Sequence, residues 1–195
     1  MTVTEIVFLD KFEQRIHEEL LQICVSTGAL DSPRLLASDD IDEQWHKIAP
    51  EYMVDAVPQI KDYPTVSVAW AAYLGMAIAC GWDADWEQCR EAEYKSYYGE
   101  QGFDDMDEHI VRDIIGLPLE TTEAQRLEAL IRQCGENAVT LIRREGIEPQ
   151  SPMAFHVFAR ACQAMFRIGA SIELRRLGYK LEKIDLPNKT LNNSV

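Results

Sequence analysis

Residues 66–86 read VSVAWAAYLGMAIACGWDADW, and from Tyr63 to Trp82 twenty residues pass without an Asp, Glu, Lys or Arg. Three readings compete for such a run: a membrane span, the buried axis of a soluble helix bundle, or the wall of a binding site. Pro64 suits the first turn of a helix and Gly81 the position after the last one. A helix of about 16–18 residues, at 1.5 Å per residue, measures about 24–27 Å and falls short of the ~30 Å of bilayer hydrocarbon. Acids stand at both ends, and no Arg cluster on either side sets an orientation. Ser67, Ala71, Gly75 and Ala79 fall four apart, forming a ridge of small residues along which another helix can approach closely. Trp70, Tyr73, Leu74, Met76 and Ile78 cover the remaining sides. A helix that is apolar all round belongs in the middle of a bundle. The run is therefore read as a central helix over about residues 65–81, and no membrane is expected as partner. A branched side chain at Gly75 should overpack the crossing.

The rest of the chain reads as helix after helix. Leu9, Phe12, Ile16, Leu20 and Ile23 recur at spacings of three and four, predicting a first helix from about Thr4 to Thr27 that stops at Gly28. Asp40 and Glu43 have the spacing of a capping box ahead of a helix over about Ile41–Lys61, which Pro50 and Pro58 are expected to break. Asp83 is expected to cap a helix over about Asp85–Tyr98, and Asp105 with Glu108 a short one through Ile115. Thr122 with Gln125 opens a stripe of Leu127, Leu130, Ile131, Cys134, Ala138 and Leu141. Ser151 and Pro152 open the last long helix, on which Phe155, Phe158, Cys162, Met165, Phe166, Gly169 and Ile172 share a face. These patterns predict an all-α, single-domain bundle of about seven helices over residues 1–186. A short docked extension through Leu181, Ile184 and Leu186 ends it, and residues 187–195 read as a polar, disordered tail.

Charge excludes some partners. The 195 residues carry 19 Lys and Arg against 33 Asp and Glu, for a net charge of -14 that repels phosphate backbones and anionic lipid surfaces; no nucleic acid is expected. Residues 1–82 hold 5 bases and 13 acids, residues 83–123 hold 3 and 13, and residues 124–195 hold 11 and 7. The basic last third is expected to pack beside the acidic middle, within one chain or between two copies. Cys24, Cys80, Cys89, Cys134 and Cys162 are odd in number, sit among apolar neighbours and form no CxxC, as reduced cysteines do in a cytoplasmic protein. The N-terminal residues carry no basic leader, so no secretory signal is read there.

Candidate chemistry is sparse, and each candidate has a simpler rival. Glu43 and His46 have the ExxH spacing of di-metal bundles, but those sites need a second such pair and two further glutamates. Asp104–His109, with Asp105 and His109, groups oxygens that could hold a hard cation, yet the EF-hand order is missing and acids favour a helix start anyway. No catalytic residue, cofactor or metal is assigned. Trp82, Trp86, Tyr94, Tyr97, Tyr98 and Phe103 form an aromatic group that suits a ligand pocket or protein interface, and equally suits a core boundary. The leading expectation is a non-catalytic interaction or assembly module, self-associating through the Trp86–Phe103 region or a ridge face of a helix. The alternative is a small-molecule- or metal-binding protein, with enzyme chemistry open to it, in which Glu43, His46, Asp105 and His109 converge.

Overall fold

The computed structural model describes residues 1–181. Six α-helices carry the fold: α1 (Val3–Ser26), α2 (Asp39–Gln59), α3 (Pro64–Glu91), α4 (Met106–His109), α5 (Thr122–Arg144) and α6 (Pro152–Arg176). Turns of 3-10 helix at Tyr94–Tyr97 and Phe103–Asp105 and a π turn at Ile110–Ile114 fill the gap between α3 and α5, and no strand occurs among the described residues. Leu181 is exposed. The rest of the expected extension, Ile184 and Leu186, and the tail 187–195 lie outside the described residues.

The helix starts follow capping chemistry. Thr2 and Glu5 form a reciprocal capping box on α1. The Ser151 hydroxyl accepts from the Ala154 amide at 3.1 Å, one residue before Pro152. On α5 the cap is Thr121, one residue earlier than expected, and its hydroxyl accepts from the Ala124 amide. Each satisfies one of the amides a helix leaves unbonded at its start. Neither expected aspartate box forms: α2 begins at Asp39 behind Ser38, and the Asp105 carboxylate accepts from the Gln101 amide instead.

Three expectations need correction. Among the described residues there are six helices rather than about seven, because α3 does not stop at Gly81. It continues to Ala84, bends at Asp85, whose backbone is extended, and resumes to Glu91 with the Asp85 carboxylate capping the Gln88 amide. Gly81 serves packing rather than termination, since a Cβ there would lie 2.8 Å from the Cys89 sulfur. Second, the segment expected to be helical as far as Tyr98 leaves the helix at Ala92. Third, α2 is helical across both Pro50 and Pro58 rather than broken.

α3 is the axis, packed by α6, α5 and α2. The small-residue ridge meets α6 so closely that a Cβ on Gly75 would enter the Phe166 carbonyl and lie 2.9 Å from the Ala170 amide nitrogen. Reciprocally, Gly169 faces the Ala72 backbone with no room for a Cβ. Ser67, Ala71, Gly75 and Ala79 are all buried, so this ridge is spent inside the chain and offers no oligomer interface. α3 is also the one described helix long and apolar enough to cross a membrane, and 67% of its apolar window is buried in the bundle.

Arginines of α6 fasten the outer helices. Arg167 pairs with Glu13 and Asp42, both at 3.0 Å; Arg160 pairs with Glu13; Arg175 reaches Asp31 at 3.0 Å. Among the described residues the arginine pairs of the basic last third thus go mainly to the first third of the chain, and Arg176, through Glu123, pairs with the acidic middle. Cys24, Cys89, Cys134 and Cys162 are buried thiols, and Cys80 is half-buried.

Gly75→Ala and Gly169→Ala should each destabilise the fold by about 1–3 kcal/mol or more, because a rigid backbone group must move. Gly135→Ala should cost less: its Cβ would meet the Ala69 methyl at 2.9 Å and the Thr65 methyl at 3.2 Å, not a carbonyl. Urea denaturation followed by far-UV circular dichroism checks the order.

Candidate functional site

Three places gather the remaining chemistry, and the aromatic group comes first. Tyr94, Tyr97 and Phe103 are buried, and Trp82, Trp86 and Tyr98 half-buried. The Tyr94 ring lies 6.4 Å from Tyr52, and Phe103 lies 5.9 Å from Tyr52 and 4.8 Å from Trp70. Tyr94 donates to Asp55 Oδ2 at 3.0 Å and Tyr98 donates to the same oxygen. Burial, reinforced by Asp55, pushes the Tyr98 phenol up to about 12 and the Tyr94 phenol higher still. Both stay protonated donors. The arrangement is a clasp that ties the irregular segment after α3 onto α2, and it leaves Tyr94, Tyr97 and Phe103 no surface for a partner. Trp82 donates to Asp40 at 3.3 Å and packs 5.7 Å from Tyr179, whose hydroxyl donates to Asp83.

The carboxylate and histidine candidates do not converge. Glu43 and His46 are exposed on α2. His109 pairs with Asp113 at 2.9 Å, and Arg112 followed by His109 holds the Asp113 carboxyl down at about 2. Asp105 is occupied by the Gln101 amide. Among the described residues, no three His, Cys, Asp or Glu side chains are grouped as a metal ion requires.

The second place is a groove of about 760 Å³ between α2 and α6. The two helices run antiparallel and touch where Trp45 packs 4.9 Å from Phe166, then leave a groove between the end of α2 and the start of α6. Met53, Val54 and Val57 line one wall, Phe155 and Ala159 the other, and Trp45 also lines it. Val54 is 73% exposed and Phe155 46%, a large apolar exposure for residues facing one another. Pro50 and Pro58 lie on the same wall. Each lacks the amide that would bond four residues back, so the His46 and Val54 carbonyls lose that helical partner. Phe155, which the sequence pattern places on the core face of α6, opens into this groove instead.

The third place is a cleft of about 340 Å³ enclosed by α3, α4 and α5. Trp70 and Tyr73 come from α3, Asp107 from α4, and Glu128, Arg132 and Glu136 from one ridge of α5. Gly135 lets α5 close on α3 beneath them. Arg132 is engaged by Glu128. Burial, with Glu108 and Glu128 adding repulsion, raises the Asp107 carboxyl to about 6 despite backbone hydrogen bonds that oppose the shift. Of these six residues only Asp107 falls within a run the sequence motifs single out, Asp104–His109. The signal available was the spacing of Glu128, Arg132 and Glu136, which alone reads as a solvated helix face.

No protein family, curated protein or solved structure matches this chain.

Asp55→Ala should cost about 1–3 kcal/mol in urea denaturation, because it strands two phenol donors, one of them fully buried. For Asp107 the native state holds its proton up to about pH 6, whereas the unfolded chain releases it near 3.8. Raising pH through that window therefore favours unfolding. Asp107→Asn should be more stable than the parent chain above pH 6, by about 1 kcal/mol given partial solvation of the carboxylate, with the difference vanishing below pH 4. Denaturation curves at several pH values check the sign.

Proposed function

We propose that the chain is a non-catalytic helical assembly module that pairs with a second copy of itself at the α2–α6 groove. The observation that carries this reading is the crowding of exposed apolar side chains at one end of the bundle. Val54, Val57 and Phe155 flank the groove, and Val3, Ile6 and Val7 form an exposed face on the first two turns of α1. α1 runs alongside α6 there: Arg160, on the groove rim, lies 3.8 Å from Asp10, and Glu5 feels the charge of His156. These six side chains expose on the order of 500 Å² of apolar surface, near the upper end of ~300–600 Å² for the largest patch on a typical monomer and most of the ~800 Å² that a standard interface takes from each partner.

A second copy is the occupant that this end of the molecule itself supplies. Val3, Ile6 and Val7 stand at i, i+3 and i+4, the spacing by which an amphipathic helix seats its anchors in an apolar groove. In a two-fold pair the α1 face of each copy meets the groove of the other, so both apolar surfaces are covered at once. With each copy at a net charge of -14, contact at an apolar end also keeps most of the acidic surfaces apart.

Sedimentation velocity across a dilution series should give a dimer that dissociates at low concentration. The double variant Val54→Glu, Phe155→Glu should be monomeric throughout with an unchanged circular dichroism spectrum. A parent chain that stays monomeric up to high-micromolar concentration would sink the reading, as would a dimer indifferent to both substitutions.

A further inference from the structure

The α3–α4–α5 cleft shares no residue with the groove, and its polar groups are unevenly matched. Tyr73 is 4% exposed, yet its hydroxyl has no hydrogen-bond partner among the described residues. The charges it feels are those of Asp107, Glu128 and Arg132, all of which line the cleft, so the hydroxyl is aimed into it. The Trp70 indole N–H beside it likewise has no acceptor among the described residues. Of three carboxylates on the walls, Glu128 holds Arg132, while Asp107 and Glu136 have no cationic partner among the described residues. A buried phenol ring whose unpartnered hydroxyl opens on the cleft, the half-buried Asp107 carboxylate and the exposed Glu136 carboxylate, over an indole, together suit a cation that brings its own N–H donors.

We propose that this cleft binds a small aliphatic ammonium ion, with Asp107 and the Tyr73 oxygen accepting from the ammonium group and the Trp70 ring packing against its alkyl chain. The ammonium supplies up to three N–H donors, enough for a carboxylate and a phenol oxygen together. The ring face adds attraction for a cation held within about 6 Å of it. Glu136, four residues beyond Arg132 on the same ridge, is the acceptor for a second ammonium at the other end of a short diamine. An anion is disfavoured because the one guanidinium in the cleft is already engaged by Glu128. A hydrated metal ion would have no use for the alkyl-lined part of the cleft made by Val66, Ala69 and Ile131.

Isothermal titration of the full chain at low ionic strength with 1,4-diaminobutane, n-butylamine and n-butanol tests this. Both amines should saturate at one per chain, the diamine more tightly, and the neutral alcohol should not bind. Asp107→Asn should weaken the amines by about tenfold, the effect of losing one charge-assisted hydrogen bond, and Tyr73→Phe by several-fold. Asp107→Asn is expected to fold at least as well as the parent at neutral pH, so its loss of binding reports on the cleft. Glu18→Gln, on the exposed side of α1, should leave affinity unchanged. The proposal is overturned if the parent chain shows no saturable heat with either amine, if the alcohol binds as tightly, if Asp107→Asn binds like the parent, or if calcium displaces the diamine at equal concentration.

Discussion

No side chain stands between α3 and α6 where Gly75 faces Phe166 and Gly169 faces Ala72. Two helices in backbone contact sit nearer than the usual 8–10 Å separation set by side chains, so every atom along the crossing gains neighbours on both sides. That contact fixes α3 as the axis. Once α6 occupies the small-residue face, α2 and α5 must cover most of the others, and the uncharged run from Tyr63 to Trp82 follows from burial on nearly every side. α1 then needs no close contact with α3, being held against α6 and α5 by its stripe of Leu9, Phe12, Ile16 and Leu20 and by the arginine pairs at its edge.

The features legible in the sequence are those with a strong local cause. Periodicity marks α1, α5 and α6, because a one-sided helix must repeat its apolar residues near 3.6. The four-residue spacing of Ser67, Ala71, Gly75 and Ala79 marks a close crossing, though not its partner. Gly81 misleads because one residue type serves two purposes: a stop that needs no Cβ and a packing site that has no room for one give the same letter. Pro50 misleads differently. It removes one hydrogen bond, and a helix held along its buried face by Trp45, Ile48, Tyr52 and Met53 tolerates that loss without breaking. The aromatic cluster was visible as a cluster, but whether Tyr94 and Tyr98 face a ligand or Asp55 depends on a residue 39 positions away in sequence. The α3–α4–α5 cleft is illegible for the same reason: its acids come from two helices and its phenol from a third.

Charge is organised by pairing rather than by dilution. The four arginines of α6 at positions 160, 167, 175 and 176 each reach an acid outside α6, and Arg167 joins α1 to α2 through Glu13 and Asp42, both half-buried. Bridges of this kind contribute little to stability compared with their apolar counterparts, but a carboxylate that loses its arginine there would face another carboxylate across a poorly solvated gap. They therefore specify which helices lie together. His17 sits in the same cluster, with Nε2 buried and unpartnered, and burial holds its pKa below the usual histidine value despite the nearby Glu13. At neutral pH it is a neutral ring, which keeps a further cation away from Arg167.

The faces of α3 keep the two proposed binding places apart. Ala72 and Gly75 face α6, while Val66, Ala69, Trp70 and Tyr73 line the cleft. At 3.6 residues per turn those two sets lie about 140–150° apart around the helix. A ligand that orders Trp70 and Tyr73 thus presses on the face of α3 away from its backbone contact with α6. The groove is built from α2 and the first half of α6, beyond that contact. For occupancy of the cleft to alter the groove, α3 would have to shift against α6, and the glycine crossing resists this because neither backbone has a flexible side chain to absorb the movement. Binding in the cleft and pairing through the groove should therefore be energetically independent. The same crossing that makes the fold possible denies it the bistable interface that coupling between distant sites requires.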